Sequence, residues 1–74
     1  MITIYVLKKG ACPKCHQAEL LLNACQVEYQ KKFVEDNMDF IRENNFMEAP
    51  VLCFDNGIIK TGSITLKDIK ENVK

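Results

Sequence analysis

Tryptophan is absent, and glycine occurs three times and proline twice in 74 residues. So few chain breakers exclude a collagen-like, linker-like or low-complexity segment. Net charge is absent as well, because ten basic residues cancel ten acidic ones. A neutral chain gives no electrostatic reason to bind nucleic acid or an anionic membrane. No apolar run approaches the roughly 18 residues that span a bilayer. The opening "MITIYVLKKG" is apolar first and basic afterwards, the reverse of a secretory signal. These absences predict one domain over residues 1–74 in the cytoplasm, where thiols are kept reduced, and a monomer is expected.

What is present is cysteine, four times, in a chain that is 47% hydrophobic. A secreted disulfide framework would need an export signal and a loop-rich chain, and neither is found. Cys-x-x-Cys in a cytosolic setting points instead to redox or metal chemistry. The stretch "GACPKCHQAELLLNAC", residues 10–25, carries it. Cys12-Pro13-Lys14-Cys15-His16 can be read as a redox dithiol, as half of a metal site or as a haem attachment motif.

The order of elements bears on that choice. Ile2, Ile4 and Val6 alternate with Thr3 and Tyr5, and Leu7 closes the run, which predicts a strand buried on two faces. Lys8 to Ala11 is a loop. Pro13 suits the first position of a helix, where its missing N–H has no partner to lose. Ala18, Leu21, Leu22 and Cys25 fall on one helical face, and the helix should fade near Cys25 and Gln26. Val27, Tyr29 and Phe33 predict a second strand within 27–34. Asp36 or Asn37 is expected to cap a short second helix over 37–45, carrying Met38 and Ile41. Pro50 precedes a strand "VLCF", and Asn56-Gly57 predicts a two-residue hairpin with Ile58 and Ile59 returning. Thr65 and Asp68 form a capping box for a last helix, with Ile64 and Ile69 as a hydrophobic staple. Leu66, Ile69 and Val73 supply its apolar face. The expected fold is α/β, in the order β-α-β-α-β-β-α. The first β-α-β is a parallel crossover and the hairpin completes a four-stranded mixed sheet flanked by helices.

In that order Cys12 sits at a helix N-terminus, where free N–H groups and the positive end of the helix favour an anion. Such positions lower a thiol pKa from ~8.5 into roughly 3.5–7.5, and Lys14 adds a positive charge. Cys15 lies one turn deeper. The asymmetry assigns attack on a target disulfide to Cys12 and release of the mixed disulfide to Cys15.

The segment "IYVLKKGACPKCHQAELLL" resembles the active-site region of the glutaredoxin family, and "EAPVLCFDNGIIKTGS" resembles the second half of that fold. The resemblance covers nearly the whole chain. It implies a thioredoxin-like fold of glutaredoxin type and thiol–disulfide oxidoreductase activity with no tightly bound cofactor. It also implies a cis peptide bond before Pro50, beside Cys12. The expected substrate-contacting set is Lys9, Lys14, Ala49, Pro50, Gly62 and Ser63. Lys9 matches a basic residue for a glutathione carboxylate, and Ala49 matches a residue whose backbone pairs with a bound peptide or glutathione. Glutathione-using members carry Gly-Gly and then an acid for the glutathione amine. Thr61-Gly62-Ser63-Ile64-Thr65 has neither. That departure resembles the glutaredoxin-like redoxins that feed ribonucleotide reductase and are recharged by thioredoxin reductase. The expected partners are therefore a disulfide-bearing protein substrate and thioredoxin reductase, with glutathione as the alternative reductant and a poor one.

Other readings stand beside this one. Haem would need a second axial ligand, for which Met38 and Met47 are the candidates, and export machinery. A Cu(I) or zinc carrier domain also places Cys-x-x-Cys between a first strand and a first helix. Pro13 within the motif and a helix at 37–45 count against it. His16 reads as a polar residue of the first helical turn. Cys25 and Cys53 read as core residues. Tyr5, Phe33, Phe40, Phe46 and Phe54 read as packing.

Overall fold

The computed structural model describes residues 1–73. Its elements are β1 (Ile2–Val6), α1 (Pro13–Ala24), β2 (Tyr29–Phe33), a single 3-10 turn (Val34–Asp36), α2 (Met38–Glu43), β3 (Val51–Cys53), β4 (Ile59–Thr61) and α3 (Leu66–Asn72). One mixed sheet runs in the order β2-β1-β3-β4. β1 is parallel to β2 and antiparallel to β3, and β3 is antiparallel to β4. The protein is thus a small α/β fold with a four-stranded mixed sheet and three helices.

The period-two pattern of β1 sorts its side chains between two cores. Ile2, Ile4 and Val6 join Ala18 and Leu22 of α1, Leu52, Phe54, and Ile69 of α3 on one face. Tyr5 points the other way and packs with Ile41 of α2 and Val51. There Tyr5 stacks on Phe40 with centroids 4.9 Å apart, and Phe40 meets Phe46 at 5.6 Å. Both helices α1 and α3 therefore cover one face, and α2 covers part of the other.

Several boundaries differ from the sequence reading. β1 ends at Val6, and Leu7 is exposed at the start of the loop. β2 begins at Tyr29, because α1 is followed by a reversal through Gln26, whose φ is +55°. Asn37 occupies the N-cap of α2 without capping it. Its amide donates instead to the Phe33 carbonyl at 2.8 Å, closing the 3-10 turn that follows β2. Asp36 belongs to that turn.

The hairpin has three loop residues rather than two. Gly57 N–H donates to Phe54 O at 3.1 Å, and Phe54 N–H donates to Ile58 O at 2.9 Å. Gly57 alone carries positive φ, at +89°, while Asn56 Oδ1 accepts from Ile58 N–H. A turn with one left-handed residue is the three-residue form, so β4 starts at Ile59 and pairs it with Cys53. The capping box of α3 is present, with Thr65 Oγ1 accepting from Asp68 N–H and Asp68 Oδ2 from Thr65 N–H. Ile64 and Ile69 are both buried in the same core, while Leu66 is 41% exposed. Cys25 and Cys53 are half-buried rather than core.

Candidate functional site

The site grows from the loop between β1 and α1. Gly10, at φ +83°, turns the chain, and Pro13 opens the helix. Cys12 is the N-cap of α1. Its Sγ accepts a hydrogen bond from Cys15 N–H at 3.3 Å, and its carbonyl accepts from His16 N–H at 3.1 Å. A sulfur thus takes the place that an oxygen usually fills at an N-cap. Cys12 and Cys15 are joined as a disulfide with Cα atoms 5.2 Å apart. Cys15 is buried at 4% exposure, whereas Cys12 is half-buried at the surface of the same core. The pair is asymmetric in access as well as in sequence.

A carboxylate holds the loop from outside. Glu35 accepts from Lys8 N–H at 2.9 and 3.0 Å and from Lys9 N–H at 3.0 Å. Those backbone bonds, Lys8 first, pull the Glu35 carboxyl below its ordinary pKa. The Lys8 ammonium is directed to Asp36 at 3.5 Å and lies 5.7 Å from the Phe33 ring. Lys9, by contrast, is exposed and has no ion-pair partner among the described residues.

The second wall comes from the segment before β3. The Ala49–Pro50 bond is cis, as the resemblance implies. Ala49 packs on the same core cluster as Cys12 and Cys15, and Pro50 is fully buried. Gly62, at the end of β4, donates its N–H to Pro50 O at 3.0 Å. That bond brings Gly62 and Ser63 up to the proline. Between them and α1 lies a cleft of about 280 Å³ lined by Pro13, Lys14, Gln17, Ser63 and Ile64. Of the residues the sequence singles out, Lys14 and Ser63 line this cleft, while Ala49, Pro50 and Gly62 do not. Lys9 lies in the loop and does not line it.

Two residues escaped the sequence reading. Glu35 is one. β1 and β2 pair with Val6 opposite Phe33, and the same register carried two residues on sets Lys8 against Glu35. The paired runs Lys8-Lys9 and Glu35-Asp36 were the available signal. Glu48 is the other. Its carboxylate fills the space that a Cβ on Gly62 would need.

Elsewhere, a larger cavity of about 600 Å³ opens where β1 begins, among Cys25, Glu28, Asp55 and Glu71. It contains one free thiol and no thiol pair. Burial pushes the Cys53 thiol up in pKa, and burial followed by the Cys53 charge raises Tyr5. Among the described residues no three His, Cys, Asp or Glu side chains gather as a metal site, so a soft-metal reading rests on the Cys12 and Cys15 thiolates alone. His16, third member of the haem motif, is exposed on α1, and Met47 is 93% exposed. No helix of the described residues is long and apolar enough to cross a membrane. No family model matches the chain, and no curated protein matches it.

Proposed function

We propose that the protein is a small dithiol thiol–disulfide oxidoreductase of thioredoxin-like fold, resembling the glutaredoxins. The observation that carries this reading is the Cys12–Cys15 pair astride a helix N-terminus, with one sulfur accessible and the other buried. In the reduced protein the Cys12 thiolate receives the Cys15 N–H and the positive end of α1, which favour its charge. It attacks one sulfur of a substrate disulfide. A Cys12–substrate disulfide forms and the other substrate sulfur leaves as a thiolate. The Cys15 thiolate then attacks the Cys12 sulfur, closes the internal disulfide and releases the second substrate thiolate. Two electrons pass to the substrate, and the released thiolates take protons from solvent. The cleft beside Pro13 and Ser63 receives the chain that bears the substrate disulfide. A disulfide-bearing protein such as ribonucleotide reductase fits as acceptor, with thioredoxin reductase or glutathione returning the electrons.

The test is trapping. Cys15→Ser, once reduced, should accumulate a mixed disulfide with a protein disulfide substrate, detected by mass and reversed by dithiothreitol. Cys12→Ser should accumulate none. The opposite pattern would reverse the two roles, and no adduct with either variant would sink the reading.

A further inference from the structure

We propose that Asn56 is a self-modifying site, converted to aspartate and isoaspartate at a rate that the Asn72 side chain holds down. The inference stands apart from the dithiol. Asn56 alone of the asparagines is followed by glycine. Gly57 presents its backbone nitrogen to the Asn56 side chain with no Cβ in the way, and nothing beyond its chain neighbours lies within 4 Å of where a Cβ would be. Both residues are exposed in the β3–β4 hairpin. The Gly57 nitrogen, once it has lost its proton, attacks Cγ of Asn56. A ring C–N bond forms, the Cγ–Nδ2 bond breaks and ammonia leaves. Water then opens the succinimide at either carbonyl, giving aspartate or isoaspartate. Water is the only co-reactant, and nothing is oxidised or reduced.

The fold sets hydrogen bonds against that step. Ile58 N–H donates to Asn56 Oδ1 at 3.0 Å, which leaves Nδ2 to donate to Asn72 Oδ1, also at 3.0 Å. Asn72 is itself fixed, because its Nδ2 donates to Asp68 O of α3 at 2.7 Å. A backbone N–H can only donate and a carbonyl can only accept, so each side-chain amide has one orientation. The Gly57 N–H is held by Phe54 O at 3.1 Å. While both ends of the Asn56 amide are held, Cγ does not swing towards the Gly57 nitrogen. The Ile58 bond also polarises the carbonyl for attack, so Asn72 is the restraint that counts, and it is the last residue of α3. Modification removes that restraint for good, because an aspartate has no N–H to offer Asn72 Oδ1. It also adds a carboxylate to a cavity lining that already carries Glu28, Asp55 and Glu71, and isoaspartate lengthens the turn by a methylene.

The experiment incubates the full chain in mildly alkaline buffer and follows isoaspartate and the gain in mass, assigned by peptide mapping. In guanidinium chloride, where the hairpin is open, Asn56 should react ahead of the other asparagines. In the folded parent it should react at least about tenfold more slowly, because several hydrogen bonds must break together. Asn72→Ala should raise the folded rate by about two- to tenfold, through the loss of one hydrogen bond. Glu71→Ala alters the same last turn of α3 but keeps the Asn72 amide, and should leave the rate unchanged. Circular dichroism at the incubation temperature shows whether each variant is folded. Should Asn72→Ala fail to fold, the comparison of folded with unfolded parent decides. A folded parent as fast as the unfolded chain, Asn72→Ala as slow as the parent, or Glu71→Ala as fast as Asn72→Ala would overturn the proposal.

Discussion

At the scale of single residues, Gly62 and Cys53 make the sharpest claims. Gly62 needs a left-handed backbone, at φ +74°, and an open face for the Glu48 carboxylate. The carboxylate is the far end of a flexible chain and can move, but the backbone cannot relax as readily. Gly62→Ala should therefore destabilise the protein by roughly 1–2 kcal/mol, read as a fall in thermal midpoint of about 4–8 °C for each kcal/mol. An unchanged midpoint would show that this turn tolerates a side chain. Cys53 is governed by burial, which raises its thiol pKa and leaves less thiolate at neutral pH. In the reduced protein, iodoacetamide should label Cys12 well before Cys53, followed by peptide mass mapping. Faster labelling of Cys53 would remove the case for Cys12 as the attacking thiol. Cys12 and Cys15 could be picked out from the sequence because their chemistry is local, written into one helical turn. Glu35 and Glu48 could not, because Glu35 binds backbone, and Glu48 lies against a glycine, far along the chain, brought close only by the pairing of β1 with β2 and of β3 with β4.

Among the elements, the ends of α1 and α2 follow one scheme. Gln26 N–H donates to Asn23 O and Val27 N–H to Leu22 O. Asn45 N–H likewise donates to Arg42 O and Phe46 N–H to Ile41 O. Gln26 and Asn45 both hold φ +55°, the left-handed residue of a Schellman ending, where glycine is usual. Asn tolerates that conformation better than Gln. Gln26→Gly should then raise stability, by up to about 1 kcal/mol after the extra entropy lost by glycine, measured by chemical denaturation. The strained residue explains why the end of α1 was legible only as a fading of apolar spacing, with no glycine to mark it. The hairpin was misread for a related reason. Asn-Gly favours the two-residue turn locally, but Phe54 is buried in the core and pairs with Ile58, which leaves three residues to cross the gap. The last helix was read closely because its cap is made of neighbours, Thr65 and Asp68. Thr65→Ala should cost about 0.5–2 kcal/mol of stability, checked by the same denaturation series.

For the whole molecule, stability is tied to acid pH through two surface carboxylates. Backbone hydrogen bonds lower both pKa values, from Lys8 and Lys9 onto Glu35 and from Thr65 onto Asp68. A group whose folded pKa lies below its unfolded one stabilises fully above the unfolded value. That contribution is lost as pH falls through the folded value. The ordinary values are 4.5 for Glu35 and 3.8 for Asp68. Thermal midpoints should therefore hold steady from neutral pH down to about 5 and decline below that, with a shallower decline in Glu35→Gln. A second molecular property follows from the sheet order. The outer strands are β2, Tyr29–Phe33, and β4, Ile59–Thr61, and the middle residue of each is a lysine, Lys31 or Lys60. If two chains met strand to strand, antiparallel and centred, like charges would stand directly opposite, which is destabilising. Each open border of the sheet thus carries a lysine at its centre, a known device against fibril-type growth. Neutralising both, as in Lys31→Thr with Lys60→Thr, should make light scattering rise with concentration where the parent chain stays flat.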